Sequence, residues 1–364
     1  MSCNKGKQLN VSVFGQSHAD AIGVVVDGFP AGFTIDFNKL QVFMDRRAPG
    51  RDIFSTARKE SDVPEFLSGI VDNKTCGAPL CAVIKNTDTR SKDYSKLKTI
   101  PRPSHSDYPA FIKYNGNNDI RGGGAFSGRL TAPLCIAGGI ALQMLDKMGV
   151  HIAAHIYSIA EIKDKSPESF DDLINIKNKN FPVIDDNTGK LMQDKILAAK
   201  SEADSVGGVI EVIATGLPVG IGGELYDGLD GKIAYSMYAI PAVKGVEFGE
   251  GFASTLLKGS ENNDEYYYNE IKEVKTKTNH HGGVLGGMTT GMPIICRITF
   301  KPTPSIGKKQ QSVNLSNETV EELIIQGRHD PCIVPRAVPC VEAMMAIELL
   351  DSMLSENYDK LLYD

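Results

Sequence analysis

"RGGGAFSGRLTAPLCIAGGIALQMLDKMG" spans residues 121–149 and changes character at Thr131. Its first part has three consecutive glycines, a serine and an arginine at each end of 121–129. Its second part is apolar, with Ile140, Met144, Leu145 and Met148 at helical spacing. Pro133 falls in the first turn, where its missing N–H does no harm, and Gly149 suits the position just past the helix end. The run from Leu130 to Leu145 is too short and too mixed for a membrane span, so it reads as a buried helix over 131–148. A second helix of this kind is predicted from about Pro339 to Leu354, with Val341, Met344, Met345, Leu349 and Met353 for burial. Helices this apolar need cover on several sides.

Strands supply the cover. "LNVSVFG" and "AIGVVVDG" are rich in β-branched residues and end on glycine. "PIICRITFK" (293–301) alternates, with Ile294, Cys296, Ile298 and Phe300 on one face. "GGVIEVIATG" and "AVKGVEFG" are further candidates, and the set reads as antiparallel. Asp36 is placed to cap a helix that carries Leu40, Phe43 and Met44 on one face and Arg46 and Arg47 in its last turn. Residues 160–195 read as a polar surface excursion that ends in a helix near Leu191–Ala203. No Pro/Ser-rich linker or internal repeat divides the 364 residues, so the expectation is one α+β domain over 1–364, with helices and antiparallel sheets in layers.

A net charge of −6 argues against nucleic acid or an anionic membrane as partner. The seven cysteines are odd in number and without CxxC spacing, which disfavours a disulfide framework and points to a reducing, cytoplasmic setting. The polar start, "MSCNKGKQLN", has no signal-peptide core. No HExxH or Cys/His ladder indicates a metal, and the neighbours His280 and His281 are poorly placed to share one.

Seven short segments set Gly or Pro beside His, Arg, Ser or Asp: "GQSHAD" (15–20), "RRAPGR" (46–51), "RPSHSDY" (102–108), "RGGGAFSGR", "NHHGGVLGG" (279–287), "KPTPSI" (301–306) and "GRHDPC" (327–332). Each alone reads as a solvated turn; together they suggest a site built from loops. The glycine run is neither GxGxxG nor a P-loop. It is either a bare turn or an anion cradle of exposed N–H groups flanked by Arg121 and Arg129. Arg46, Arg47, Arg51, Arg102 and Arg328 fall in the same segments and would make the pocket cationic if these converge; otherwise they pair with surface carboxylates. Histidine is the side chain whose chemistry suits proton transfer, which makes His18 and His105 candidates, although a lone histidine is about as often structural. Asp330 can orient a donor or pair with Arg328.

In order and approximate spacing, "GQSH", "RRxPGR", "RPSHxDY", "RGGGxxSGR", "NxxGGxxGG", "KPTPSI" and "GRHDPC" resemble the chorismate synthase family over about residues 8–352. The resemblance implies a β-α-β sandwich, a homotetramer, and a 1,4-elimination of phosphate from 5-enolpyruvylshikimate 3-phosphate that yields chorismate. It implies reduced FMN (FMNH2) as cofactor without net redox change, and NADPH only as a possible flavin reductant. By position, His18 matches the family's proton donor to the departing phosphate, and His105 a group near the flavin N1 region. Asp330 and Ser127 match a pair acting at flavin N5, with Ser17 in support. Flavin contacts map to Ala125, Phe126, Ser127, Pro241, Ala242, Gly286, Lys301, Pro302, Thr303, Pro304, Ser305 and Arg328. Substrate anions map to Arg47, Arg51, Arg102, Arg129 and Arg328. Gln16, Ala125 and Ile53 depart from residues common in the family, a glutamate, a basic residue and an arginine respectively. Two rival readings are another flavin-dependent lyase or oxidoreductase, and a non-catalytic protein that binds flavin or anions.

Overall fold

The computed structural model describes residues 3–50, 62–87, 96–177, 179–325 and 330–363. Arg51, Ile53, Arg328 and His329 therefore lie outside the described residues. The first sheet holds β1 (Asn4–Lys5), β2 (Asn10–Gly15), β3 (Ala21–Asp27), β4 (Glu65–Ser68) and β5 (Leu80–Lys85), in the order β1-β2-β3-β5-β4. The second holds β6 (His151–Ile159), β7 (Ile162–Lys163), β8 (Gly208–Thr215), β9 (Val243–Phe248) and β10 (Ile294–Phe300), in the order β9-β10-β8-β6-β7. Every pairing in both sheets is antiparallel.

Between the sheets lie α1 (Phe37–Arg47), α3 (Thr131–Lys147) and α7 (Val334–Ser355), with α6 (Leu229–Tyr238) beside them. The remaining helices labelled here are α2 (Asp107–Lys113), α4 (Phe170–Ile176) and α5 (Asp186–Ser201). Helix α3 packs on β3 and β5, α7 on β6 and β8, and the two helices on each other. This is the β-α-β sandwich expected. The alternation on β10 holds: Ile294, Cys296, Ile298 and Phe300 are all buried towards this layer. The helical segment Gly128–Lys147, which is α3 with the turn before it, reaches the length and composition of a membrane span, but most of it is buried inside the fold, as a core helix would be.

Two glycines let the helices come this close. A Cβ on Gly138 would stand 2.4 Å from Cα of Ala343 in α7, and one on Gly139 would stand 2.6 Å from Leu40 in α1. Buried acids on α7 then tie the layers together. Glu342 takes a forked contact from Arg46 at 2.6 and 3.0 Å and the amide of Ala154 at 3.0 Å. Asp351 accepts the amides of Lys7, Gln8 and Leu9.

Some expectations need correction. Helix α7 starts at Val334 and runs through Pro339, so that proline sits inside the helix. The contacts of its neighbours Val338 and Cys340, both buried, hold the helix together where the proline removes a donor. The polar excursion over 160–195 is less superficial than its composition suggests. Leu173 and Ile176 of α4 bury against Ala153 and Ile213 on the outer face of the second sheet. Asp36 caps α1 as expected, accepting the amide of Lys39 at 3.0 Å.

Candidate functional site

The three glycines fold the backbone left-handed at successive residues, with φ of 59, 86 and 55° at Gly122, Gly123 and Gly124. Side chains resist that conformation, and at Gly122 and Gly124 there is no room for one either. A Cβ on Gly122 would lie 2.4 Å from Ser17 Oγ and 2.5 Å from His18 Nδ1. A Cβ on Gly123 would lie 3.4 Å from His105 Nε2. The backbone therefore threads between the two histidines. The amide of Ser17 donates to Gly124 O at 3.2 Å, which pins "GQSH" to the run. Ser127 caps the next turn by accepting the amide of Arg129 at 3.3 Å.

Around this turn opens a cleft of about 690 Å³, well within the size range of small-molecule sites. Its lining includes Ala125, Phe126 and Ser127 after the glycines, Arg102 and His105, Pro241 and Ala242, and Lys301, Thr303, Pro304 and Ser305. Arg47, Arg129 and Asp330 also line it. His18 and Ser17 are buried just behind Gly122. Pro302 and Gly286 are not among the lining residues, and Gly286 turns a hairpin between Val284–Leu285 and Met288–Thr289.

The arginines are largely spoken for by carboxylates. Arg47 and Arg129 both clamp Asp62, a buried residue whose φ of 46° is left-handed. Burial pushes the Asp62 carboxyl up, but the two guanidinium groups outweigh it and hold it below the usual range. Arg102 forks onto Asp107, Nε to Oδ2 at 2.7 Å and Nη2 to Oδ1 at 2.8 Å, and donates to Ser305 Oγ at 3.1 Å. Arg121 pairs with its neighbour Asp119 and is not among the lining residues.

Asp107 also sits 2.6 Å from His105 Nδ1. Burial opposes its charge, but the hydrogen bonds from Arg102 and His105 keep it well below the carboxylate range. A charged carboxylate there fixes the Nδ1–H tautomer and leaves Nε2 for the cleft. Asp330 pairs with Arg336, one turn into α7, at 2.6 Å. Asp107 and Arg336 carry no role in the sequence reading. Asp107 was legible within "RPSHSDY"; Arg336 lies in an apolar helix and had no local signal.

Two lysines remain. Lys244 and Lys301 line the cleft with no carboxylate partner among the described residues. Burial and the nearby Lys244 ammonium both lower Lys301. Lys301 is bound at two backbone positions in left-handed strain, its amide to Ala242 O at 3.0 Å and its ammonium to Ser104 O. Such outliers concentrate where a ligand is gripped. Thr303 Oγ1 is buried without a hydrogen-bond partner, and with the lysines it makes a corner that suits a phosphate. Phe126, Ile240 and Pro241 give an apolar wall. The residues present thus fit a flat, phosphorylated ring such as FMN. His280 and His281 both lean on the carboxylate of Asp264, whose oxygens also take both their amides, so that pair is structural. Among the described residues no group of His, Cys, Asp and Glu is placed to hold a metal.

Comparison with known proteins points the same way. Residues 9–354 match the family described as chorismate synthase. The chorismate synthase of Methanocaldococcus jannaschii is 45% identical over 365 residues, covering 97% of this chain and 96% of that one. That of Lancefieldella parvula is 44% identical over 370 residues, covering 98% and 97%. A crystal structure of chorismate synthase superposes with a TM-score of 0.77 at 27% identity, covering 99% of this chain and 97% of the other. The glycine turn, the histidines beside it and the layered fold that holds them are those of a chain that belongs to the chorismate synthase family.

Proposed function

We propose that this cleft carries out the 1,4-elimination of phosphate from 5-enolpyruvylshikimate 3-phosphate, giving chorismate for the shikimate pathway. The observation that carries this reading is the glycine backbone passing between His18 and His105. Both histidines thus stand against one turn of backbone, and His105 lines the cleft with Arg47, Arg102 and Arg129, which supports this reading. His18 holds the proton that the departing phosphate takes. Asp107 holds the Nδ1 proton of His105, so that Nε2 meets the ligand. Arg47, Arg102 and Arg129 line the cleft together with Ser305 and would receive the substrate's anionic groups. Positive charge fixed in advance where leaving-group charge grows costs no reorganisation during the reaction.

Phe126, Pro241, Ala242 and the 301–305 segment would hold FMN. When bound in reduced form, that group lends electron density to C–H and C–O cleavage and ends the cycle reduced. Asp330, paired with Arg336, lines the cleft with Ser127, and the two would act at the flavin with Ser17, buried behind Gly122, in support. Residues 1–364 act as one domain. Seven free thiols favour a cytoplasmic setting. The exposed Phe252, Leu256, Tyr266, Tyr268 and Ile271 favour assembly into a homotetramer. NADPH enters only as a flavin reductant.

Anaerobic turnover with chemically reduced FMN tests the reading. Phosphate and chorismate should appear in equal amounts while the flavin stays reduced. Binding without phosphate release would favour the non-catalytic reading, and flavin consumed in step with product would favour an oxidoreductase.

A further inference from the structure

Where α3 crosses α7, the Sγ atoms of Cys135 and Cys340 lie 4.0 Å apart. Three residues further along each helix is the close approach of Gly138 to Ala343, so the backbones are already near each other. The two thiols differ in access. Cys340 is among the residues lining the cleft, and Cys135 is sealed behind it. Neither has a role in the elimination. We propose that Cys340 and Cys135 form a peroxide-reactive dithiol in the floor of the cleft, Cys340 being the thiol that attacks peroxide and Cys135 the resolving one.

The surroundings favour this division of labour. Burial pushes the thiols of Cys296 and Cys332 up, the latter to about 12, which keeps them inert. Cys340 is as deeply buried but is pulled below an ordinary thiol. Cys135 donates to it, and the guanidinium groups of Arg47 and Arg336 add their charge. The same contact raises Cys135, which keeps its proton until it is needed. A disulfide needs its sulfurs about 2.05 Å apart, so the 4.0 Å gap must close where the two helices already cross closely.

The chemistry balances with hydrogen peroxide as oxidant. The Cys340 thiolate attacks one peroxide oxygen, the O–O bond breaks, and the leaving hydroxide takes a proton and departs as water. Cys340 is then a sulfenic acid. Cys135 gives up its proton and attacks that sulfur, the S–S bond forms, the S–O bond breaks, and a second water leaves. Both sulfurs are oxidised and both peroxide oxygens reduced. The bond would lock the two central helices beneath Arg47 and block turnover reversibly.

Peptide mapping of the full chain tests this without any need for turnover, so its outcome is separate from that of the proposed function. After reduction, a peroxide pulse and alkylation in denaturant, the expected product is a Cys135–Cys340 peptide pair two hydrogens lighter than the dithiol. Activity should fall with its appearance and return with dithiothreitol. Cys135→Ala should stop at the sulfenic acid, seen as a dimedone adduct on Cys340, and Cys340→Ser should abolish both link and adduct. The proposal is overturned if both thiols still alkylate fully after a dose that has oxidised the exposed Cys76. It is equally overturned if Cys340→Ser loses activity to peroxide at the wild-type rate.

Discussion

Two clusters in this molecule have the same makeup. In the cleft, Asp107 binds Arg102 and His105 at 2.7 and 2.6 Å. On the outer face of the second sheet, Glu211 binds Arg297 and His155 at 2.7 and 3.1 Å. Each is a histidine and an arginine on one buried carboxylate. The difference is access: the His105 side chain is 15% exposed and faces the cleft, whereas His155 is fully enclosed. In the outer cluster β8 pairs directly with β6 and β10, so Glu211 sits opposite both His155 and Arg297. Asp164 lies on the other side of His155, at 3.7 Å. A charged triad is thus a common way of satisfying buried polar groups, and only one with an open face does chemistry.

Substitutions can break the pair apart. The largest expected effect is on stability. Glu211→Ala removes the carboxylate shared by Arg297 and His155, which keep Glu247 and Asp164 as more distant partners, and should cost about 3 kcal/mol, read as a lower urea midpoint. Turnover per folded molecule should stay within about twofold of wild type. A large loss of turnover would mean the outer cluster communicates with the cleft. His105→Ala should do the reverse, lowering the rate on the order of 10²-fold or more with a small shift in midpoint. His18→Ala should match it, and near wild-type rates for both would remove the histidines from the mechanism.

Gly122→Ala comes next. Its added Cβ meets Ser17 and His18 at a left-handed φ of 59°, a strain of about 1–3 kcal/mol, and the rate should fall because the histidine must move. Unchanged kinetics would show that the turn tolerates displacement.

The enclosed histidine gives a pH test. Burial opposes the charge of His155, but Asp164 and Glu211 outweigh it and raise its pKa above 6.5. The proton is therefore held more tightly in the folded state. The stability margin of wild type over His155→Gln should be full below about pH 6.5 and shrink as pH climbs through the raised value, by at most about 1.4 kcal/mol per pH unit. A margin that grows with pH would reverse the assignment. The smallest effect belongs to Arg121→Ala. Its exposed pairing with Asp119 is worth about 0.5 kcal/mol or less, and the KM for substrate should not move.

Much of the frame was legible from sequence, because it is local. Alternation along 294–300, the Asp36 cap and the apolar spacing of α3 are properties of consecutive residues. The loop segments that gather at the cleft were legible as a set through their Gly, Pro and His content. What stayed hidden is who pairs with whom. Arg47 and Arg129 meet at Asp62, residues 15 and 67 positions away, and nothing in the sequence marks that aspartate. The arginine surplus looked like ligand-binding capacity, yet most of it is balanced within the protein. Helix α7 was placed too late in the chain because a proline reads as a start signal, and only tertiary packing reveals that it lies mid-helix.

The grip of Asp351 on the amides of Lys7, Gln8 and Leu9 bears on how the chain is made. The partners are 342 to 344 positions apart. On the ribosome the segment over residues 7–9 emerges long before α7 exists, and it must wait for this partner until more than three hundred further residues are made. Contacts this distant in sequence slow folding and prolong the exposure of sticky edges. For this chain α7 is the latch, and its arrival is the step at which the start of the first sheet can be fastened.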